Sequence, residues 1–315
     1  MSVRVAFQDP AFRFTGFWQE NEAGELVSYK RVASFELGFT GRKLKLQARL
    51  DGAATWLLDG QETQPESTED GLLFVCQNGR HCLKGTIVST ARIQIRGARA
   101  EGFFATEAKP YIHFIGDSIT HNYPGFASAS AQMLGADHSV TAHCGMSLVD
   151  GWGWYPLNHG LTERVGMESN YFQLETPDET SDFTPYQFTY CRKPDVIVIY
   201  LGVNDYLTEG GNFREENPYI FAERYVAFVM RLREQYPGVP VFMLQCHMPE
   251  KTIRIGAIAD AYRGIREIME DVYLLDSHQW NVALSPDKVH PSAEGYAQMA
   301  DNVTRILRAY LGERC

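Results

Sequence analysis

The chain has 315 residues, 44% of them hydrophobic and 22% charged, an ordinary globular composition with room for more than one average domain. Its formal net charge of −10 excludes strong attraction to a nucleic-acid backbone or an anionic membrane surface, so neither partner is expected and a neutral substrate fits. The N-terminus, Met1 to Pro10, has no apolar core or small-residue cleavage site of an export signal. No apolar run approaches the roughly 20 residues of a membrane span. A soluble, cytoplasmic protein is therefore expected, with its six cysteines reduced. No Cys-x-x-Cys or His-x-x-x-His spacing marks a metal site, and no cofactor is implied.

Two textures meet near Thr106–Pro110. Before that point, short apolar or alternating runs are cut by turn signals. Ser34–Phe39 and Leu44–Leu50 lead to Asp51-Gly52, Trp56–Leu58 to Asp59-Gly60, and Leu72–Cys76 to Asn78-Gly79, with a further run at Ala91–Gly97. Period-two alternation between Asp-Gly and Asn-Gly pairs is the pattern of antiparallel strands, and residues 1–108 read as a β-sandwich. On this reading Asn78-Gly79 makes a hairpin, and Cys76 and Cys82 become cross-strand neighbours. Trp18 and Trp56 read as core residues of that sandwich.

From 109 to 315 the rhythm becomes strand, loop, helix. Strands are expected at Tyr111–Ile115, Ser139–His143, Asp195–Leu201, Val239–Gln245 and Val272–Asp276. Helical periods fall at Gly125–Leu134, Pro218–Tyr236, Arg254–Asp271 and Pro291–Leu311. This alternation implies an α/β domain with a parallel sheet, whose ligands bind at the carboxyl ends of the strands. An aromatic-rich stretch at 152–193 interrupts the rhythm, a length that marks a functional loop rather than a simple connection.

The chemistry-bearing residues sit at those strand ends. Tyr111–Ile115 runs into Gly116-Asp117-Ser118-Ile119-Thr120, and Ser139–His143 into Cys144-Gly145-Met146-Ser147. Asp195–Leu201 runs into Gly202-Val203-Asn204-Asp205, and Asp287-Lys288-Val289-His290-Pro291 precedes the last helix. Gly-Asp-Ser alone is an ordinary turn. The set of four, in this order, resembles the successive motifs of the SGNH (GDSL-type) hydrolases. That resemblance covers roughly the last two thirds of the chain. It implies a flavodoxin-like, three-layer α/β/α domain and a serine esterase. There Ser118 is the nucleophile, His290 the general base, and Asp287 the carboxylate that holds the imidazole. The oxyanion hole would comprise the Ser118 and Gly145 N–H groups and the Asn204 amide. The role suits imidazole, whose charge changes between pH 5 and 8. Some relatives use a serine–histidine pair and a backbone carbonyl, which leaves the part of Asp287 open. Asp117 and Asp205 read as loop ties, Asp276 as a strand-end residue, and Cys144 as a small buried residue. His121, His143 and His247 lie near strand ends, where a pocket wall and a structural role are both open.

Phe14-Thr15-Gly16-Phe17-Trp18 and Phe35–Gly41 resemble the first domain of the two-domain acetyl esterases of carbohydrate esterase family two. This implies a jelly-roll module ahead of the hydrolase and acetylated oligosaccharides, such as xylo-oligosaccharides, as substrate. Trp152, Trp154 and Trp280 are the candidate sugar-contacting residues. A lysophospholipase, thioesterase or arylesterase of the same chemistry stays open, as does a carbohydrate-binding protein on an idle hydrolase scaffold. The absence of a Gly-x-Ser-x-Gly elbow argues against the α/β-hydrolase arrangement.

Overall fold

The computed structural model describes residues 2–88, 91–155, 164–174, 184–205, 218–247 and 252–312. Parts of the aromatic stretch, 156–163 and 175–183, lie outside the described residues. The chain divides into two compact units, one of Met1–Lys109 with Tyr186–Arg192, the other of Pro110–Pro185 with Lys193–Cys315.

The first unit contains β1 (Val3–Ala6), β2 (Phe12–Glu20), β3 (Leu26–Asp51), β4 (Ala54–Leu58), β5 (Gln61–Glu62), β6 (Glu66–Thr68), β7 (Gly71–Val88), β8 (Arg92–Ala100) and β9 (Gly102–Phe104). Pairing within the unit is antiparallel, with the long β3 bonded to β2, β7, β8 and β9. Asp59-Gly60 makes the expected two-residue hairpin between β4 and β5. Both residues have positive φ (53° and 80°), the backbone that matches the strand twist. Asn78-Gly79 does not turn. β7 runs straight through it, paired across Gly41↔Gly79 and Thr40↔Arg80, with a register shift between Gly41 and Lys43. The ladder to β3 supplies hydrogen bonds on both sides of the pair, and a local turn preference does not outweigh them. Cys76 and Cys82 therefore lie on one strand, roughly 10–13 Å apart along it once the register shift is counted, too far for a bridge. Both are free.

The core of this unit is aromatic. Trp18, Phe35, Trp56 and Phe74 are buried and meet in successive edge contacts. Trp18 and Trp56 thus take the core role read from the sequence. Tyr186 joins this unit through its hydroxyl, which receives the Trp18 N–H at 2.9 Å and donates to the Trp18 carbonyl at 2.7 Å.

The second unit holds a parallel sheet of β10 (Tyr111–Gly116), β11 (Asp137–Ala142), β12 (Val196–Tyr200), β13 (Val241–Leu244) and β14 (Val272–Leu275). Their order is β11-β10-β12-β13-β14. Helices α1 (Ser118–His121), α2 (Phe126–Met133), α3 (Met167–Asn170), α4 (Pro218–Gln235), α5 (Thr252–Arg266) and α6 (Ala293–Gly312) intervene, with a short 3₁₀ turn at Ser277–Trp280. Runs such as Val196–Tyr200 and Val241–Leu244 are apolar throughout because the strands are buried on both faces. Helix α5 stops at Arg266, short of the expected Asp271, whose carboxylate instead pairs with Arg233 of α4.

The strand order reverses at β10. The chain steps to β11 on one side and later returns to β12 on the other, and right-handed crossovers put the helices of the two halves on opposite faces. Accordingly α2 packs with α6, and α4 with α5. The crevice opens at the carboxyl ends of β10 and β12, where the direction of winding changes. Among the described residues no helix is long and apolar enough to cross a membrane.

Candidate active site

Ser118 is the first residue of α1, directly after the buried β10 and the cap residue Asp117. The turn is tight: a Cβ on Gly116 would lie 2.1 Å from Thr120 Oγ1 and 2.7 Å from the Tyr200 carbonyl oxygen, so only glycine fits. Asp117 accepts the Ile119 N–H at 3.0 Å, the loop-tying role read for it. Ser118 itself is half-buried, presenting its hydroxyl at the sheet edge.

His290 meets Ser118 across the crevice, with Nε2 2.8 Å from Ser118 Oγ. Its other nitrogen, Nδ1, donates to Asp287 Oδ2 at 2.6 Å, since a carboxylate only accepts. The neutral ring therefore carries its proton on Nδ1 and leaves Nε2 to accept the Ser118 hydroxyl. Asp276 pairs with His278 instead.

Asp287 does more than hold the ring. Its Oδ1 accepts the Ser285 hydroxyl at 2.6 Å and the N–H groups of Val289 and His290 at 2.9 Å each. The loop closes on itself through Ser285 N–H to the His290 carbonyl at 2.8 Å and Lys288 N–H to the Ser285 carbonyl at 2.9 Å. Partial desolvation acts to raise the Asp287 pKa, but the bonds from Ser285, Val289 and His290 outweigh it and hold the carboxyl well below the usual carboxylate range.

Gly145 follows β11 with φ +75°, a left-handed backbone that favours glycine. Its carbonyl receives the Trp154 N–H at 2.8 Å and the Tyr155 N–H at 3.2 Å. The next residue, Met146, gives its carbonyl to Asn204 Nδ2 at 3.0 Å. Asn204, at the end of β12, is thereby tied to the Gly145–Met146 turn and keeps a second amide N–H. Asp205 is buried and accepts the Leu148 N–H at 2.9 Å and the Val149 N–H at 3.0 Å. It ties together two motifs that lie 57 residues apart.

The structure thus joins Ser118, His290 and Asp287 in one hydrogen-bonded line and ties Asn204 to the Gly145 turn. The three tryptophans are less uniform. Trp154 is half-buried and bonded through its backbone to Gly145, Trp152 is half-buried beside it, and Trp280 ends the 3₁₀ turn after β14. Of the three histidines, His121 donates Nδ1–H to the Ala142 carbonyl at 3.0 Å, and the His143 ring lies 4.6 Å from that of Tyr155. His247 reaches the His290 loop, with Nε2 3.2 Å from the Val289 carbonyl oxygen. Tyr296 of α6 was not singled out by any motif. Burial and the nearby carboxylates of Asp117 and Asp287 push its pKa up to about 12, so its hydroxyl stays protonated. Its only sequence signal is its place in the first turn of the helix that the His290 motif introduces.

Residues 114–298 match the profile of the GDSL-like lipase/acylhydrolase family, more than half of the chain. The chain belongs to that family. A comparison with curated proteins finds no match. Among solved structures, this GDSL-like acylhydrolase is similar to a family two carbohydrate esterase from Cellvibrio japonicus, at 16% identity and TM-score 0.74 over 98% of both chains. A carbohydrate esterase family two enzyme of Corynascus thermopiles (Myceliophthora fergusii) matches at 21% identity and TM-score 0.72, over 96% of this chain and 99% of that one. An acetyl xylan esterase from the rumen bacterium Butyrivibrio proteoclasticus matches at 15% identity and TM-score 0.72, over 99% of this chain and 98% of that one. At these identities the likeness is one of fold, here the SGNH hydrolase fold.

Proposed function

We propose that the chain is a serine esterase that removes short acyl groups, acetyl above all, from carbohydrate esters. The observation that carries this is the line from Ser118 Oγ through His290 to Asp287, at 2.8 and 2.6 Å. Acyl transfer needs a nucleophile, a base in reach of its proton, a group that orients the base, and donors where the oxyanion forms.

In the first half-reaction Ser118 Oγ attacks the ester carbonyl carbon as its proton passes to His290 Nε2. Asp287 stabilises the resulting imidazolium through Nδ1–H. The carbonyl π electrons move onto oxygen, which takes hydrogen bonds from the Ser118 and Gly145 N–H groups and the remaining Asn204 amide N–H. The tetrahedral species collapses, the C–O bond to the sugar breaks, and His290 returns the proton to the leaving alkoxide. Water, deprotonated by the same histidine, then attacks acyl-Ser118; the acyl bond to Ser118 Oγ breaks, His290 returns the proton to Oγ, and the carboxylic acid leaves.

Carbohydrate as the alcohol rests on the fold shared with enzymes described as carbohydrate and acetyl xylan esterases, and on Trp154 held against the Gly145 turn. We assign the antiparallel first unit to the jelly-roll type on the same ground. The test is acetate release from acetylated xylo-oligosaccharides, beside p-nitrophenyl esters of increasing chain length and a Ser118→Ala control. Serine-dependent acetate release with p-nitrophenyl acetate preferred is expected. Activity confined to long acyl chains would remove the sugar, and full turnover by Ser118→Ala would remove the serine mechanism.

A further inference from the structure

His247 is buried at 2% exposure just beyond β13, outside the Ser118–His290–Asp287 line. Both ring nitrogens are engaged. Nε2 lies 3.2 Å from the Val289 carbonyl oxygen, and Nδ1 lies 2.5 Å from the Tyr200 hydroxyl. A carbonyl only accepts, so Nε2 carries the proton, and the bare Nδ1 accepts from Tyr200. Tyr200 is the last residue of β12, 1% exposed, and its ring lies nearly parallel to that of His247 at 5.8 Å. Its hydroxyl stays protonated because burial raises its pKa well above the ordinary value.

The carbonyl that His247 holds belongs to the peptide joining Val289 to His290. The N–H of the same peptide is bonded to Asp287 Oδ1 at 2.9 Å. That peptide plane is therefore gripped on both edges, from β13 and from within its own loop. The loop needs such a grip: Lys288, two residues before His290, sits at φ +56°, a left-handed backbone that strains a non-glycine residue. Strained backbone of this kind persists where surrounding contacts over-determine it.

We propose that His247, with its Nδ1 held by the Tyr200 hydroxyl, is a positioning residue for His290. It holds the Val289–His290 peptide so that Nε2 stays within proton-transfer distance of Ser118 Oγ. Through Tyr200 it also links β12, which leads into the Asn204 turn, to the loop that carries the base, so oxyanion donor and general base keep one register. This proposal rests on the assignment of His290 as general base, and the experiment separates the two.

The amide nitrogen of Gln superimposes on histidine Nε2, and the amide oxygen of Asn on Nδ1. Thus His247→Gln keeps the donor to Val289, whereas His247→Asn keeps only the acceptor for Tyr200. Kinetics on p-nitrophenyl acetate and melting temperatures are measured for both, for His247→Ala and Tyr200→Phe, and for Ser118→Ala and His290→Ala. The expected result is a kcat loss of about 10–100-fold in Ala and Asn with KM within twofold, the scale of a small misplacement of a reacting group. His247→Gln should recover to within about threefold of the parent, and Tyr200→Phe should fall between. If Ala and Asn keep kcat within twofold of the parent, or if Gln is no better than Asn at matched melting temperature, positioning by His247 is refuted. Should the Ala variant not fold, the Asn–Gln comparison decides. Loss of turnover in Ser118→Ala and His290→Ala alongside normal Asn kinetics would overturn this proposal alone. Retained turnover in Ser118→Ala would overturn the esterase reading itself.

Discussion

Replacing Asp287 by Asn reverses the hydrogen-bonding sense of one atom and leaves the size of the side chain almost unchanged. Oδ1 takes the Ser285 hydroxyl and two backbone N–H groups, so the amide oxygen of Asn is held there; the flipped amide would set its N–H donors against two others. The new NH₂ then occupies the place of Oδ2 and donates to His290 Nδ1. The ring must move its proton to Nε2, where it can no longer accept from Ser118. A wrong tautomer in an otherwise intact triad lowers kcat by about 10⁴, which at 1.36 kcal/mol per decade is about 5 kcal/mol of transition-state stabilisation. Asp287→Ala loses the three loop bonds as well, a stability cost of about 1–3 kcal/mol and several degrees in melting temperature. The assay is kcat on p-nitrophenyl acetate with a melting curve for each variant. The Asn variant should melt near the parent yet turn over about 10³–10⁴ times more slowly. A kcat within tenfold of the parent would show that Asp287 does not set the tautomer of His290, and a backbone carbonyl would have to be sought in its place.

The same carboxylate gives a pH signature. Its folded pKa is depressed, so the stability it contributes is present above the unfolded carboxylate value near 4 and is lost as pH falls below it. The melting-temperature gap between parent and Asp287→Ala should therefore narrow between pH 6 and pH 3; a gap independent of pH would contradict the assignment. Asn204→Ala should lower kcat by about 10²–10³ with little change in KM, read by steady-state kinetics on p-nitrophenyl acetate. Asp205→Ala strands the buried N–H groups of Leu148 and Val149, at about 1–3 kcal/mol for each group. It should lower both the melting temperature and kcat, because the Gly145 turn loses its anchor; an unchanged melting temperature would refute the tie.

Much of the second unit was legible in the chain. Tyr111–Gly116, Val196–Tyr200 and Val241–Leu244 announce themselves as doubly covered strands because every residue in them is buried. Gly116, Ser118, Gly145, Asn204 and His290 follow strand ends or precede a helix, and a parallel sheet brings such positions together at one edge. The Asp59-Gly60 hairpin was legible for a local reason as well, since its two positive φ values suit those residue types.

What the chain did not disclose depends on bonds between distant segments. Asn78-Gly79 carries the same local preference as Asp59-Gly60, yet it lies within a continuous β7 because β3 supplies a ladder alongside it. Tyr186–Arg192 joins the first unit from far along the chain, drawn by a hydroxyl that bonds the Trp18 backbone. No motif marks Tyr200 or His247 as neighbours of the His290 loop; the contact spans 42 residues and forms because β12 and β13 end side by side. The sequence determines which residues can do acyl-transfer chemistry, through their side-chain types and strand-end positions. Which of them hold the base in place was decided by the packing of strands and loops, because hydrogen bonds made across tens of residues leave no periodic or compositional trace.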